Sequence, residues 1–408
     1  MQVRKGRGCR CLSKIRLKFS QSGDSEALLS TMETSCCFCV IAAVIFIFTL
    51  LRWLGAGNGV ASWTLVGALA GASLYFVLPP GVCGAVLLGW SFILIHQTDR
   101  RAEMLPVGNR AVLVTGCDSG FGHTLAKRLS GMGVMVFAGV LDVNGPGAQQ
   151  LRERASKNLQ VLQLDVTDDS QIEAAHRYVQ AQVGHTGLWG LVNNAGVLQC
   201  PMDAELQPIS NYRLCLDVNF LGAVKMCQVF LPLLRRSKGR VVNVSSMSGV
   251  VPFPLFAAYG SSKAALSIFT QVLRLELSLW GVKVVLIEPS GFRTNLFGSD
   301  EDVARYKTNI LTTVASGARE DYGDEYLLSF SRRLSAMPHE MTADLSPVVD
   351  DLCHGLLSVH PKPHYAPGKK GWFLPFLHRC CPTTVFDGII VRTLKHNTDC
   401  KPAGISST

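Results

Sequence analysis

Tyr259 and Lys263 stand four positions apart in "AAYGSSKAALSIF", residues 257–269, and Ser246 closes the apolar run "GRVVNVSS". On a helix, side chains at i and i+4 share a face, so an ammonium is set beside a phenol. A tyrosine at its ordinary pKa of about 10 is a poor base near neutrality. A neighbouring cation favours the phenolate, which predicts a phenol made acidic by Lys263. A serine hydroxyl at a strand end holds a substrate oxygen in line. The chemistry suggested is base-assisted oxidation of an alcohol, provided that a hydride acceptor binds nearby.

A place for that acceptor lies upstream. Thr115-Gly116-Cys117-Asp118-Ser119-Gly120-Phe121-Gly122 follows the apolar run "AVLV" and leads into a helical pattern. Glycines at 116, 120 and 122 permit a tight turn and leave backbone N–H groups, at a positive helix end, free to meet a pyrophosphate. The second β-rich run ends at Leu141-Asp142, where an acid hydrogen-bonds the adenosine ribose and repels a 2′-phosphate. That acid makes NAD the expected acceptor.

These residues need a scaffold, and the chain after residue 105 supplies one. Short β-rich runs ("AVLVTG", "VMVFAGV", "LQVLQLDV", "LWGLVNN", "GRVVNVSS", "KVVLIEP") alternate with helical patterns, the longest through "VNFLGAVKMCQVFLPLLRRS" and over 259–279. Strands that lack polar alternation are buried on both faces. The expectation is a doubly wound, parallel α/β sheet of Rossmann type, with ligands beyond the carboxyl ends of the strands.

The chain has 408 residues, of which 48% are hydrophobic and only 17% charged. The apolar excess sits near the N-terminus. "CCFCVIAAVIFIFTLLRWL", residues 36–54, carries no charge until Arg52 and is long enough to span a bilayer as a helix. A second apolar region, 60–95, is broken by Pro79, Pro80 and Gly81. A basic arm and the basic residues near 100 flank these regions, which favours a cytosolic catalytic domain. The expected layout is an arm (1–31), a membrane anchor (32–100), the sheet domain (105–370) and a tail (371–408).

Seven of the first eighteen residues are basic, which accounts for most of the net charge of +9. A headgroup-facing or solvated arm explains that charge, so nucleic acid is not an expected partner. Fourteen cysteines show neither matched pairs nor zinc-ligand spacing with histidines, so free thiols and no metal are expected. The sequon Asn243-Val244-Ser245 lies inside an apolar run and is expected to be unused.

Four motifs in order, TGxxxGxG, Asn193-Asn194-Ala195-Gly196, Ser246 and Tyr259-xxx-Lys263, resemble the short-chain dehydrogenase/reductase superfamily over about residues 108–370. The resemblance implies a catalytic set of Asn219, Ser246, Tyr259 and Lys263, with Asn219 bending a helix and holding a relay water. It implies dinucleotide contacts from Thr115, Gly116, Ser119, Gly120, Phe121, Gly122, Asp142, Asp165, Val166, Asn193, Ala195, Gly196, Tyr259, Lys263, Pro289, Gly291 and Thr294. Ser290 stands where the family usually has glycine. "TGLWGLVNNAGV" and "LPLLRRSKGRVVNVSSMSG" are similar to the branch of membrane-anchored steroid and retinol dehydrogenases. That branch implies NAD-dependent oxidation of 17β-hydroxysteroids such as estradiol and testosterone, an endoplasmic-reticulum membrane location, contact with membrane lipid, and a homodimer. Alternatives are oxidation of an 11β-hydroxysteroid or a retinol, and a non-catalytic NAD-binding membrane scaffold, which has no need of all four catalytic residue types. Val250, Val251, Phe253, Leu255, Phe256, Phe292, Leu296 and Phe297 are candidates to line a pocket for a flat ring system.

Overall fold

The computed structural model describes residues 40–48, 50, 80–154, 157–298, 300–368, 371–395 and 402–405. The basic arm, residues 36–39, 49 and 51–54 of the first apolar stretch, and residues 60–79 of the second lie outside the described residues. The chain divides into two compact units, residues 1–100 and 101–408. In the first, residues 40–48 are helical, and Phe46 packs against Leu50 and Leu87. Helix α1 (Pro80–Ala102) opens on Pro80, a position where the missing N–H would have had no helical partner anyway.

The second unit is built on seven strands: β1 (Ala111–Val114), β2 (Met135–Val140), β3 (Leu159–Gln163), β4 (Gly190–Asn193), β5 (Arg240–Val244), β6 (Lys283–Ile287) and β7 (His364–Tyr365). Every pairing is parallel, in the order β3-β2-β1-β4-β5-β6-β7. The sequence pattern gives six of these strands; β7 is two residues long and has no apolar run to announce it. Strand order reverses between β1 and β4, and that reversal opens a crevice at the carboxyl ends of the strands.

Connecting the strands are α2 (Gly120–Gly131), α3 (Pro146–Arg154), α4 (Asp169–Val183), α5 (Ile209–Leu216), α6 (Ala223–Ser237) and α7 (Ala257–Leu277). After β6 come α8 (Asp300–Thr313), α9 (Ser316–Tyr322), α10 (Asp324–Glu340) and α11 (Ser346–Leu357), and after β7 come α12 (Phe373–Cys380) and α13 (Thr383–Lys395). Side chains alternate along a strand, so each apolar run feeds two cores. Val112 and Val114 of β1 join Leu125, Leu129, Leu352 and Leu356 on one side. Leu113 joins Ile172, Phe230, Leu234 and Leu273 on the other. Burial on both faces is why the runs show no polar alternation.

The long apolar helix of the sequence pattern is not continuous. A π-helical turn, Asp217–Gly222, separates α5 from α6. Residues 209–237 are long and apolar enough to cross a membrane by composition, yet Met226, Cys227, Phe230, Leu233 and Leu234 pack against the sheet. This segment is a core element of the α/β domain.

Arg240, 2% exposed, opens β5 and donates to the carbonyls of Gly355 at 2.8 Å and Ser358 at 2.6 Å. Its guanidinium also stands over the Trp189 ring, 5.1 Å from the centroid. Arg240→Met leaves two buried carbonyls without these donors, and such losses cost about 1–3 kcal/mol. The expected result is a lower urea midpoint with an unchanged slope; a midpoint equal to the parent's would contradict this role.

Candidate active site

The glycine turn is shaped by close backbone approaches. Gly116 and Gly120 take φ of 69° and 61°, the left-handed region that side chains disfavour. A Cβ on Gly116 would sit 2.8 Å from Ala195 Cα, and one on Gly122 would sit 2.3 Å from the Gly116 carbonyl oxygen. Thr115 Oγ1 accepts from the backbone N–H groups of Asn194 and Ala195, each at 3.0 Å. The Asn194 amide donates to the carbonyls of Thr115 at 2.9 Å and Gly116 at 3.0 Å. β1 and β4 are thereby latched together beneath the turn.

A cleft of about 410 Å³ runs from this turn to the start of α7. Gly116, Ser119, Gly120, Phe121, Asp165 and Val166 line it, with Ala195, Gly196, Tyr259, Lys263 and Thr294. The Ser119 hydroxyl makes no cap bond to α2. Asp165 accepts from Thr167 N at 2.9 Å, and Asp168 caps α4.

Other expected dinucleotide contacts are placed differently. Thr115 is buried and serves as the latch just described. Gly122 contributes its lack of a side chain to the turn. Asn193 is buried away from the cleft and donates to Asn243 Oδ1 at 2.8 Å, because side chains at successive strand-end positions point to opposite sides. Of that pair, it is Asn194 that lines the cleft. Asp142 is exposed and accepts from Asn144 N at 2.9 Å. Pro289 and Gly291 line a second cavity. Sequence reasoning missed Asp118, whose carboxylate accepts from Leu141 N at 3.0 Å and 3.1 Å and so fixes the end of β2 beside the cleft.

The second cavity, about 220 Å³, is lined by Leu198, Phe253, Phe256, Phe292, Leu296, Phe297 and Met341, with Ser246 and Tyr259 on its wall. Five of the eight expected apolar residues are present. Val250, Val251 and Leu255 are not, since a loop presents its side chains to both sides. Val251 packs under Phe386 and Ile390 of α13, and Leu255 joins the separate cluster built by α8 and α10. Phe121 lines both cavities and meets Phe292 edge to face at 5.7 Å. Thr294 and Leu296 also border both.

Tyr259 borders both cavities, Lys263 the first and Ser246 the second, while Asn219 is buried outside both. The Ser246 side chain shares the wall of the second cavity with the Tyr259 phenol and accepts from Ser248 N at 3.2 Å, and Lys263 Nζ stands 5.8 Å from the phenol ring centroid. That ammonium donates to the Val244 carbonyl at 2.9 Å. Asn219, in the π-turn, accepts from Val197 N at 2.8 Å and donates to the Val197 carbonyl at 3.0 Å and to Ser262 Oγ at 2.9 Å. Its amide is engaged on both sides, so the widened helical turn is pinned to the loop after β4.

The electrostatics differ from the sequence expectation. Burial pushes the Tyr259 phenol up to about 12, opposed by the Ser246 side chain. Burial also pulls the Lys263 ammonium down to about 8. Desolvation disfavours both charged forms and outweighs any attraction between them. The resting phenol is therefore protonated, and the expected acidification by Lys263 is corrected.

Lys263 also has a consequence for stability. Below about pH 8 the folded chain carries this buried ammonium at full cost. Between about 8 and 10.5 the folded form has released the proton and the unfolded chain retains it, so stability rises with pH. Lys263→Met should be more stable than the parent at pH 7, by roughly 1–3 kcal/mol, with the margin shrinking toward pH 10. Denaturant unfolding across that range checks this, and a pH-independent margin would refute it.

Asn243 is 0% exposed in β5, so a glycan has no access to the sequon. Cys117, Cys200, Cys215, Cys227, Cys353, Cys380 and Cys381 are free of disulfides. Among the described residues no group of three or more metal-ligating side chains gathers.

Comparison with known proteins agrees with this architecture. A family model described as short chain dehydrogenase matches residues 110–303. The chain is 42% identical to estradiol 17-beta-dehydrogenase 2 of Mus musculus, over 86% of this chain and 93% of that protein. It is 42% identical to 11-beta-hydroxysteroid dehydrogenase type 2 of Oryctolagus cuniculus, over 69% of this chain and 70% of that one. A short-chain dehydrogenase from Streptomyces avermitilis, 24% identical, shares the fold with a TM-score of 0.54, covering 71% of this chain and 98% of its own. A parallel sheet that reverses at β1 and β4, a glycine turn above it, and a likeness to 17β-dehydrogenases along nearly their whole length lead to one conclusion: this chain belongs to the short-chain dehydrogenase family.

Proposed function

We propose that this protein oxidises the 17β-hydroxyl of steroids such as estradiol and testosterone to the 17-ketone, with NAD as acceptor. The observation that carries this reading is the meeting of a polar, glycine-walled cleft and an apolar, phenylalanine-walled pocket at Tyr259. The likeness to estradiol 17-beta-dehydrogenase 2 supports the choice of steroid.

The cleft suits a dinucleotide. Its glycine turn brings backbone N–H groups at the start of α2 to the surface, the Ser119 hydroxyl is not spent on a cap, and Asp118 stands at the β2 end. Gly116, Ser119, Gly120 and Phe121 would hold the pyrophosphate, Asp165 and Val166 the adenine, and Ala195, Gly196, Lys263 and Thr294 the nicotinamide half. Asp118 and Asp142 place carboxylates where a 2′-phosphate would be repelled. Bound NAD would supply the acceptor for the carbinol hydride and, with its oxidised ring, a positive charge in the site.

The chain's own groups handle the proton. Ser246 Oγ orients the substrate hydroxyl, and Tyr259 Oη accepts its proton. Lys263 favours the phenolate once a second cation offsets the desolvation of Tyr259. Asn219 keeps the π-turn open behind Lys263. Apolar walls from Phe253, Phe256 and Phe297 exclude water from the ring system.

Exposed Ile209, Leu221, Ile268 and Leu275 on α5, the π-turn and α7 offer an apolar face for a second copy of the chain. Exposed Val40, Phe48, Phe92 and Ile93 suit lipid contact, in keeping with an anchor in the endoplasmic-reticulum membrane. No nucleic acid is assigned as a partner.

The test is NADH formation by the full chain in detergent or vesicles with estradiol, testosterone, cortisol and retinol, with NADP as a second acceptor. Preferred turnover of the 17β-alcohols with NAD is expected. Preference for cortisol would favour the 11β reading, which the likeness to the 11β-hydroxysteroid relative supports. No turnover of any steroid or retinol would remove the proposal.

A further inference from the structure

Glu288, the residue after β6, is 4% exposed and belongs to none of the groups assigned above. The Ser267 hydroxyl donates to Glu288 Oε1 at 2.7 Å, and His364 Nε2 on β7 lies 2.7 Å from Oε2. Glu288 N donates to the Tyr365 carbonyl at 2.8 Å. One residue thus joins α7, β6 and β7.

Contacts continue inward from Ser267. Its Oγ lies 2.8 Å from Ser245 Oγ, and the Ser245 hydroxyl donates to the Lys263 carbonyl at 2.8 Å. Lys263 Nζ reaches back to Val244 O at 2.9 Å. Residues 244–246, which carry Ser246, are therefore clasped from both ends of Lys263. The placement of Ser246, two residues after β5, relative to Tyr259 on α7 depends on that clasp.

A buried carboxylate is costly unless hydrogen-bonded, and an apolar side chain at 288 would avoid the cost. It would also remove the charged acceptor that holds Ser267, itself 4% exposed, at the end of β6. Ser267 lies one turn beyond Lys263 on α7, so this turn of the helix would lose its tie to the end of β6.

We propose that Glu288 is a positioning residue: through Ser267, one turn beyond Lys263 on α7, it fixes Lys263 and Tyr259 against Ser246. This rests on the reading of those three as the reacting set. Glu288 touches neither cavity that borders Tyr259. It lies in a separate cavity of about 390 Å³ with His364, Arg274 and Arg379, so its effect is on geometry.

The experiment compares Glu288→Ala, Glu288→Gln and Ser267→Ala in the full chain with the parent. Glu288→Ala should lower kcat about 30-fold, the scale expected for a misplacement of under 1 Å, with KM for alcohol and NAD within about twofold. Glu288→Gln retains an oxygen for Ser267 and should recover to within about threefold. Ser267→Ala should reproduce most of the loss. Amide hydrogen exchange at residues 245–247 and 259–267 should quicken in both alanine variants and stay at the parent level in Glu288→Gln.

A kcat within twofold of the parent in Glu288→Ala, a glutamine variant as slow as the alanine, or unchanged exchange in those segments would overturn the proposal. Should Glu288→Ala fail to fold, Ser267→Ala leaves the Glu288–His364 contact intact and carries the same expectations. A parent that oxidises no steroid would end the proposed reaction, while the exchange pattern would still decide the positioning role.

Discussion

Tyr259→Phe is expected to lower kcat/KM for alcohol oxidation by about 10³-fold or more, within the range for losing a positioned acid–base group, while NADH affinity stays within about twofold. The phenol is 8% exposed, lies at the seam between the two cavities, and shares the wall of the second with Ser246. Phenylalanine keeps the ring and its edge-to-face contact with Phe256 at 6.5 Å, so packing is preserved and only the proton acceptor is lost.

The pH dependence sharpens the test. Burial holds the phenol near 12 in the free protein, so only a small fraction is phenolate near neutrality and that fraction grows as pH rises. Oxidation by the parent should therefore accelerate with pH across the neutral range, and ketone reduction, which needs the protonated phenol, should not. Residual oxidation by Tyr259→Phe should lose the slope. Steady-state rates from pH 6 to 9, with NADH fluorescence as the binding control, measure both. A phenylalanine variant as fast as the parent would remove Tyr259 from the reaction.

Gly122→Ala should weaken NAD binding by roughly 100-fold. A Cβ at 122 would meet the Gly116 carbonyl oxygen at 2.3 Å and the Asn194 amide nitrogen at 2.5 Å. Neither can move cheaply. Gly116 is held at φ 69° against Ala195, and the Asn194 amide is bonded to Thr115 and Gly116. Overpacking of this kind costs about 1–3 kcal/mol, and about 2.7 kcal/mol corresponds to a hundredfold in affinity. Gly131→Ala is the control, because a Cβ there meets nothing within 4 Å and should leave affinity unchanged. Calorimetric titration with NAD compares the two. Equal affinities for Gly122→Ala and the parent would show that the turn is not where the dinucleotide binds.

Much of the site could be read in the chain. The glycine spacing, the Tyr259–Lys263 interval and Ser246 at a strand end are local features, because turns and helix faces are set by neighbours in sequence. Phe253, Phe256, Phe292, Leu296 and Phe297 were legible as a pocket for the same reason: each follows closely on a strand end.

Other features depended on contacts between distant parts of the chain. Whether Asn193 or Asn194 faces the cleft is decided by the register of β4 between β1 and β5. Asp118 gained its role because the turn after β1 abuts the end of β2. Val251 was taken from the pocket by α13, a helix more than 130 residues away in sequence. Glu288 and Ser267 meet across β6 and α7, and nothing in either segment alone marks the pair.

By itself, the sequence determined which side chains the chemistry has available and the parallel sheet that would carry them, since hydrophobic periodicity and residue spacing act over a few residues at a time. The tertiary structure decided how deeply those side chains are buried. Desolvation depends on every segment folded around a group, so only the assembled domain could show a protonated Tyr259 and a weakened Lys263 ammonium in place of the acidic phenol implied by their spacing.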